Sequence, residues 1–250
     1  MLNEPTLAKL KALRRDALAA AWLEQQKKPE VGKLGFDERL GLLVDAEWLA
    51  RENARFRRMH KEAKLKYPEA CVEDVDYSAK RELEKAVIRQ LATCGWVAEH
   101  HNIAIVGAAG TGKSWIGCAL AQQAMRRGYR AVYRRAPRFF DHEIVLAHAD
   151  GTYGNLLSRI ARIDVLILDD WALAAASERE RRDLLEILED RQGLRSTIIT
   201  SQLPTDRWHA HVGDPMLADA ICDRFLSRAH RIALKGPSRR PPLARDGEKK

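Results

Sequence analysis

Apolar positions follow two regimes along the chain. Over the first 68 residues they recur at helical spacing and never alternate. Leu7, Leu10, Leu13, Leu18 and Trp22 predict one helix, capped by Thr6 and ending near Lys27-Lys28-Pro29. Gly32 to Gly35 reads as a loop, and a second, long helix runs from about Phe36 to Lys66. Its first half carries Phe36, Leu40, Leu43 and Trp48. Its second half is polar, with Arg51, Arg55, Arg57, Arg58, Lys61, Lys64 and Lys66, and Pro68 closes it. Residues 69 to 94 form a connector with one helix, about Ala79 to Leu91. From Asn102 the pattern changes, and short apolar runs alternate with amphipathic helices. The runs are Ile103–Val106, Ala131–Tyr133, Val165–Leu168 and Thr197–Thr200, with a last strand at about Arg231 to Leu234. That alternation predicts an α/β domain built on a five-stranded parallel sheet, preceded by a small all-helical domain. No internal repeat is visible. Trp22, Trp48 and Trp96 read as packing residues.

Composition narrows the class. An apolar fraction of 46% is ordinary for a globular protein, and no apolar run approaches the roughly 18 residues of a membrane span. The opening MLNEPTLAKLKALRRDAL is charged and lacks the apolar core of a secretory signal, so a cytoplasmic chain without a membrane partner is expected. Cys71, Cys94, Cys118 and Cys222 are dispersed, without C-x-x-C spacing, and read as free thiols. The net charge is +8, which permits an anionic partner such as DNA. Half of that excess lies between Lys235 and Lys250, a tail that is either merely solvated or in contact with phosphate.

The most specific chemistry begins where the first strand runs into Gly107-Ala108-Ala109-Gly110-Thr111-Gly112-Lys113-Ser114, with a helix of good formers behind it, Trp115 to Arg127. This is G-x-x-x-x-G-K-S in its strand-loop-helix setting. Glycines let backbone N–H groups turn inward around phosphates, and the helix N-terminus adds its positive end. Lys113 is placed for the β- and γ-phosphates and Ser114 for Mg2+, so ATP with Mg2+ is the expected ligand. Some 60 residues on, Val165-Leu166-Ile167-Leu168 ends in Asp169-Asp170. Asp169 is positioned to hold the metal and Asp170 to act as general base on the attacking water. The strand ending Thr200-Ser201-Gln202 brings a polar side chain near the γ-phosphate, and which of the three points inward stays open, Ser201 and Gln202 being carried as site candidates. Arg224, in the helical Asp219–Phe225, is the candidate finger that reaches a neighbouring subunit's γ-phosphate, with Arg228 in reserve. Arg240 is a weaker phosphate candidate. His100-His101 lacks ligands at metal spacing, and no Ser/His/Asp arrangement is present.

With these motifs in hand, the chain resembles the IstB-type transposition helper ATPases, AAA+ proteins of the DnaC helicase-loader branch. The resemblance spans nearly the whole chain. FDERLGLLVDAEWLARENARFRRMHKEAKLK precedes GAAGTGKSWIGCALAQQAMRRG, LILDDW, ERRDLLEILEDR, STIITSQLP, LADAICDRF and AHRIALKG in the family's order. It implies a bacterial insertion-sequence protein that binds duplex DNA, forms ATP-dependent homo-oligomers with the nucleotide at the subunit interface, and stimulates a cognate transposase through ATP turnover. It also implies domains at 1–68 (helical), 69–236 (AAA+ core) and 237–250 (basic tail). Lys113, Ser114, Asp169 and Asp170 carry over as nucleotide, metal and hydrolytic residues, and Arg224 as the trans-acting one. Arg134, Arg135 and Arg138 are the DNA-facing candidates. One stretch departs from the family: Ala172 to Ser177 stands where relatives often have Gly and Pro. Two rival readings stay open, a replicative helicase loader and a nucleotide-gated DNA-binding scaffold with little hydrolysis.

Overall fold

A computed structural model of the protein describes residues 4–78 and 82–239. The chain divides into two units, Met1–Arg58 and Met59–Lys250.

The first unit is helical: α1 (Glu4–Ala12), α2 (Asp16–Lys27) and most of α3 (Phe36–Ala63). The single helix expected through Trp22 is two. Arg14 is left-handed at φ 54°. Arg15 N donates to Leu10 O and Arg14 N to Lys11 O, the paired bonds of a Schellman ending. Apolar periodicity survives such a break, which is why it did not show in the pattern. Thr6 therefore lies inside α1 and caps nothing. Glu47 on α3 receives Leu18 N at 3.2 Å and Arg51 Nε at 2.6 Å. Gln25, itself buried, donates to Arg39 O at 2.9 Å. Phe36, Leu40, Val44 and Trp48 fall every fourth residue on α3 and are all exposed. Trp48, at 64% exposure, is thus not the packing residue its spacing suggested.

The second unit opens with the end of α3. Lys64 is left-handed at φ 51°, so the helix stops before Lys66 and Pro68. After α4 (Lys85–Ala92) and α5 (Gly95–Ala98) come β1 (Asn102–Gly107), α6 (Lys113–Arg126) and β2 (Ala131–Arg135). The start expected for α4, at Ala79, lies outside the described residues. Next, α7 (Ala136–Arg138) passes through a π-helical stretch, Phe139–Ile144, into α8 (Val145–Ala149) and then α9 (Tyr153–Ala161). The chain continues with β3 (Val165–Trp171), α10 (Glu178–Arg191), β4 (Ser196–Ser201), α11 (Trp208–Val212), α12 (Pro215–Leu226) and β5 (Ala229–Leu234). All five strands are parallel, in the order β2-β3-β4-β1-β5. Ile103 to Ile105 and Val165 to Leu168 are wholly buried, as expected for strands covered on both faces, which read as unbroken apolar runs. Trp96 packs in the core and donates Nε1 to Leu91 O at 3.0 Å.

Two polar side chains tie the strand starts together. Asn102 accepts from Thr197 N and donates to Phe225 O. Arg191, 1% exposed, donates to Ile160 O, Ile163 O, Ser196 O and Thr197 Oγ1. Burial without a bonded carboxylate pushes its pKa down to about 9. Arg191→Ala is expected to cost about 3 kcal/mol or more, because it empties a packed site and orphans its acceptors. Urea unfolding checks this, and Arg191→Lys should recover less than half, since an ammonium lacks the planar fork.

Candidate nucleotide-binding site

The sheet order sets the site's location. β4 lies between β1 and β3, so the loop leaving β1 and the acids ending β3 open onto one crevice at the strands' carboxyl ends, where α/β sheets bind ligands. A cavity of about 390 Å³ fills it, lined among others by Gly110, Lys113, Ser114, Trp115, Asp170 and Gln202.

The phosphate loop has the expected form. Gly112, at φ 93°, precedes α6, whose first residues are Lys113 and Ser114. Gly107, at φ 152°, passes so close to β5 that a Cβ there would sit 2.3 Å from Leu234 O. At Gly110, φ 80°, a Cβ would meet Ser238 Oγ at 2.1 Å. Thr111 Oγ1 donates to Ala108 O at 2.9 Å, and Ala109 lines the cavity. Lys113, nearly buried, donates to Gly107 O and Ala108 O, each at 2.8 Å.

The two acids owe their placement to a bulge. β3 and β4 pair in register up to Leu168–Ile199 and resume at Trp171–Ser201, so β3 carries one residue more than its partner. Asp170 absorbs the irregularity with φ 60°, a conformation costing a non-glycine residue about 1 kcal/mol or more. Its N–H leaves the ladder and donates to Thr200 Oγ1 at 3.0 Å. The same hydroxyl donates to Asp169 Oδ1, so Thr200 holds both acids. Of the three side chains at the end of β4, Thr200 therefore touches the Asp169 carboxylate and the Asp170 backbone, and Gln202 faces the cavity. The Ser201 hydroxyl is turned away, bonded to Trp171 O and Leu203 N.

Asp169 is fully buried and also receives Tyr133 OH at 2.6 Å and Lys66 Nζ at 3.0 Å. Burial works to raise its pKa, but hydrogen bonds from Ser114, Thr200 and Tyr133, aided by Lys66, outweigh it and hold the carboxyl below its usual value. Burial and the bond to Asp169 push the Tyr133 phenol upward, so it stays a donor. Burial alone would lower the Lys66 pKa, yet Asp169 and Asp170 raise it. A depressed carboxylate contributes stability above its unfolded pKa of about 3.9 and loses it as pH falls through the lower folded value. Asp169→Asn is therefore expected to flatten the acid limb of stability below about pH 4, as read by urea unfolding between pH 3 and 7.

Ser114, which lines the cavity, and Asp169 are hard oxygen donors of the kind Mg2+ takes when nucleotide phosphates supply the remainder. Among the described residues no group of three or more His, Cys, Asp or Glu could hold a metal unaided.

Other candidates fall elsewhere. Arg224 is not among the residues lining this cavity. It pairs with Glu189 and borders a separate cleft with His100, Gln192 and Arg228. Arg134 is paired with Glu143 at 2.8 Å and Arg135 with Asp170 at 3.2 Å, while Arg138 lies in an open cleft beside Pro137 and Asp141. Arg240 is outside the described residues. Its neighbour Arg239 lines the nucleotide cavity, with its N–H on Gly110 O and its guanidinium on Asp76. Sequence reasoning missed Lys66, Tyr67, Asp74, Tyr133 and Arg239. Only the fold brings them to the cavity or to Asp169.

The sheet order, phosphate loop and paired acids define the fold class, that of a P-loop nucleotide-binding protein. The model of the IstB-like ATP binding protein family matches residues 8–245, and the chain belongs to that family of ATP-binding proteins. It is 48% identical over 205 residues to the protein named as the ATP-binding protein of insertion sequence IS1162 in Pseudomonas fluorescens, covering 82% of this chain and 88% of that one. It is 45% identical over 240 residues to an insertion-sequence ATP-binding protein of Sinorhizobium fredii, covering 96% and 97%. Among solved structures it is similar to DnaI, at TM-score 0.59 and 22% identity over 72% of this chain and 94% of that one. It is also similar to the DnaC helicase loader, at TM-score 0.56 and 18% identity over 68% and 98%. These two likenesses concern the fold. Among the described residues no helix is long and apolar enough to cross a membrane.

Proposed function

We propose that this chain is the ATPase of an insertion sequence, which uses Mg2+-ATP to assemble with copies of itself on duplex DNA and present that DNA to a partner transposase. The observation that carries this reading is where the candidate residues fall. Lys113, Ser114, Asp169, Asp170 and Gln202 converge in one chain, while Arg224 sits in a different cleft. A neighbouring copy would supply that arginine, which makes turnover depend on assembly. The metal, held by Ser114 and Asp169, would neutralise charge on the phosphates. Lys113 binds the phosphates, Asp170 takes the proton of the attacking water, and Thr200 keeps Asp169 and Asp170 in register. The insertion-sequence setting comes from the names of the relatives. The exposed stripe Phe36, Leu40, Val44 and Trp48 offers a surface for assembly.

The test measures duplex-DNA binding with ATP, with ADP and without nucleotide, together with phosphate release with and without DNA. ATP should tighten DNA binding, and DNA should raise turnover. Equal DNA affinity in all three nucleotide states would sink the switch. One observation favours a second reading, the little-hydrolysing scaffold. Asp170 is engaged by Arg135 and lies 3.7 Å from Lys66, which occupies the proposed base. Absence of DNA-stimulated phosphate release would select it. The fold likeness to DnaC keeps a helicase loader as the third reading, and retention of a replicative helicase in pull-downs would select that.

A further inference from the structure

The carboxylates assigned to the metal and to the attacking water already hold a cation from the same chain. Lys66 leaves the left-handed residue Lys64, where α3 ends, and lies across the carboxyl end of β3. Its ammonium is 3.0 Å from Asp169 Oδ2 and 3.7 Å from Asp170 Oδ2. Asp169 is fully buried, whereas the Lys66 side chain keeps 31% of its surface exposed. Tyr67, the next residue, lines the nucleotide cavity. A buried carboxylate without a positive partner is costly, and Lys66 is the cation bonded to it. A lysine ammonium is a compact point charge on a flexible stem. It can therefore satisfy a carboxylate and still withdraw along its open side.

We propose that Lys66 is a resident stand-in for the metal, which pairs with Asp169 and Asp170 and holds them in place until Mg2+-ATP enters and displaces it from Asp169. This rests on the nucleotide reading above and adds how the site is held before loading. Two cations cannot share Asp169 without mutual repulsion, so the ammonium and the metal compete. Displacement also carries the segment from Leu65 to Tyr67 with it, so loading of the site is reported to the residues that follow α3.

Mg2+ titrations of mant-ATP binding test this in wild type, Lys66→Met and Lys66→Arg, beside mant-ADP controls. Lys66→Met removes the competitor, so its half-saturating Mg2+ concentration should fall by about tenfold, an expected loss of one partly buried charge pair. Lys66→Arg keeps the charge and should stay near wild type. A second readout needs no nucleotide. The melting temperature of Lys66→Met should lie below that of wild type and gain more from millimolar Mg2+. An unchanged Mg2+ midpoint in Lys66→Met would overturn the proposal, as would an equal fall in Lys66→Arg. So would a loss of mant-ATP but not mant-ADP affinity in Lys66→Met at saturating Mg2+, which would make Lys66 a γ-phosphate ligand. Should Lys66→Met not fold, the Lys66→Arg midpoint and the wild-type response of the 65–67 amides to Mg2+-ATP in hydrogen exchange decide it, and unchanged exchange overturns it. If wild type binds no mant-ATP, the nucleotide reading itself has failed, a result distinct from any of these.

Discussion

Lys113→Ala is expected to lower mant-ATP affinity by at least about a hundredfold, the loss of a charge-assisted contact to two phosphate groups. The ammonium sits on Gly107 O and Ala108 O, and Lys113 lines the cavity with Ala109, Gly110 and Gly112 of the loop. Phosphates entering that cavity bring oxygens to an ammonium already held in place, so little ordering cost remains at binding. Alanine removes the charge but leaves the glycines and α6 intact, so the fold should survive, with an unchanged far-UV spectrum. Lys113→Arg should also bind poorly. The side chain is nearly buried, and a planar guanidinium is too large for the place of a compact ammonium. Calorimetric or fluorescence titration checks both variants. Retained affinity in a folded Lys113→Ala protein would mean that the cavity is not the phosphate site.

How much of this was legible beforehand depended on the range of the signal. The phosphate loop is local: its glycines, lysine and serine are consecutive, and the strand before and helix after them are read from neighbouring residues. The five-stranded parallel sheet was legible for the same reason, because strands buried on both faces leave continuous apolar runs. The break at Arg14 and the end of α3 at Lys64 were not. Each turns on one non-glycine residue in a left-handed conformation, which sequence pattern does not mark. The alanine stretch after the second acid shows the same limit. Ala172 adopts φ 62°, a geometry glycine would take without strain, while Ser177 caps α10 through Glu180 N. The choice among Thr200, Ser201 and Gln202 depended on a bulge in β3 that shifts register by one residue. A one-residue slip reverses which side chains face the site. Arg135 was read as a DNA contact because nothing in the sequence pairs it with Asp170, 35 positions away. Lys66 was hidden in a run of basic residues, and only its separation from α3 gives it a different role.

Arg224→Ala should leave nucleotide affinity within a few fold of wild type and lower turnover by about a thousandfold or more, the range of a trans-acting arginine. The side chain lies in the cleft with His100, Gln192 and Arg228, not in the cavity that holds Lys113. Loss of binding would therefore have no structural cause within one chain. Its ion pair with Glu189 is half exposed, so the variant should lose at most about 1 kcal/mol of stability. Arg228, the reserve candidate, borders the same cleft, and Arg228→Ala should keep most turnover if Arg224 is the finger, whereas loss there alone would transfer the role to Arg228. The decisive arm mixes subunits. Arg224→Ala retains Asp170, whereas Asp170→Asn retains Arg224, and each alone should be nearly inactive. In an equimolar mixture, random pairing sets an intact acid against an intact arginine at about one interface in four, so about a quarter of wild-type turnover should return. No recovery from a mixture shown to co-assemble would rule out a trans-acting Arg224, and the finger would then have to come from elsewhere.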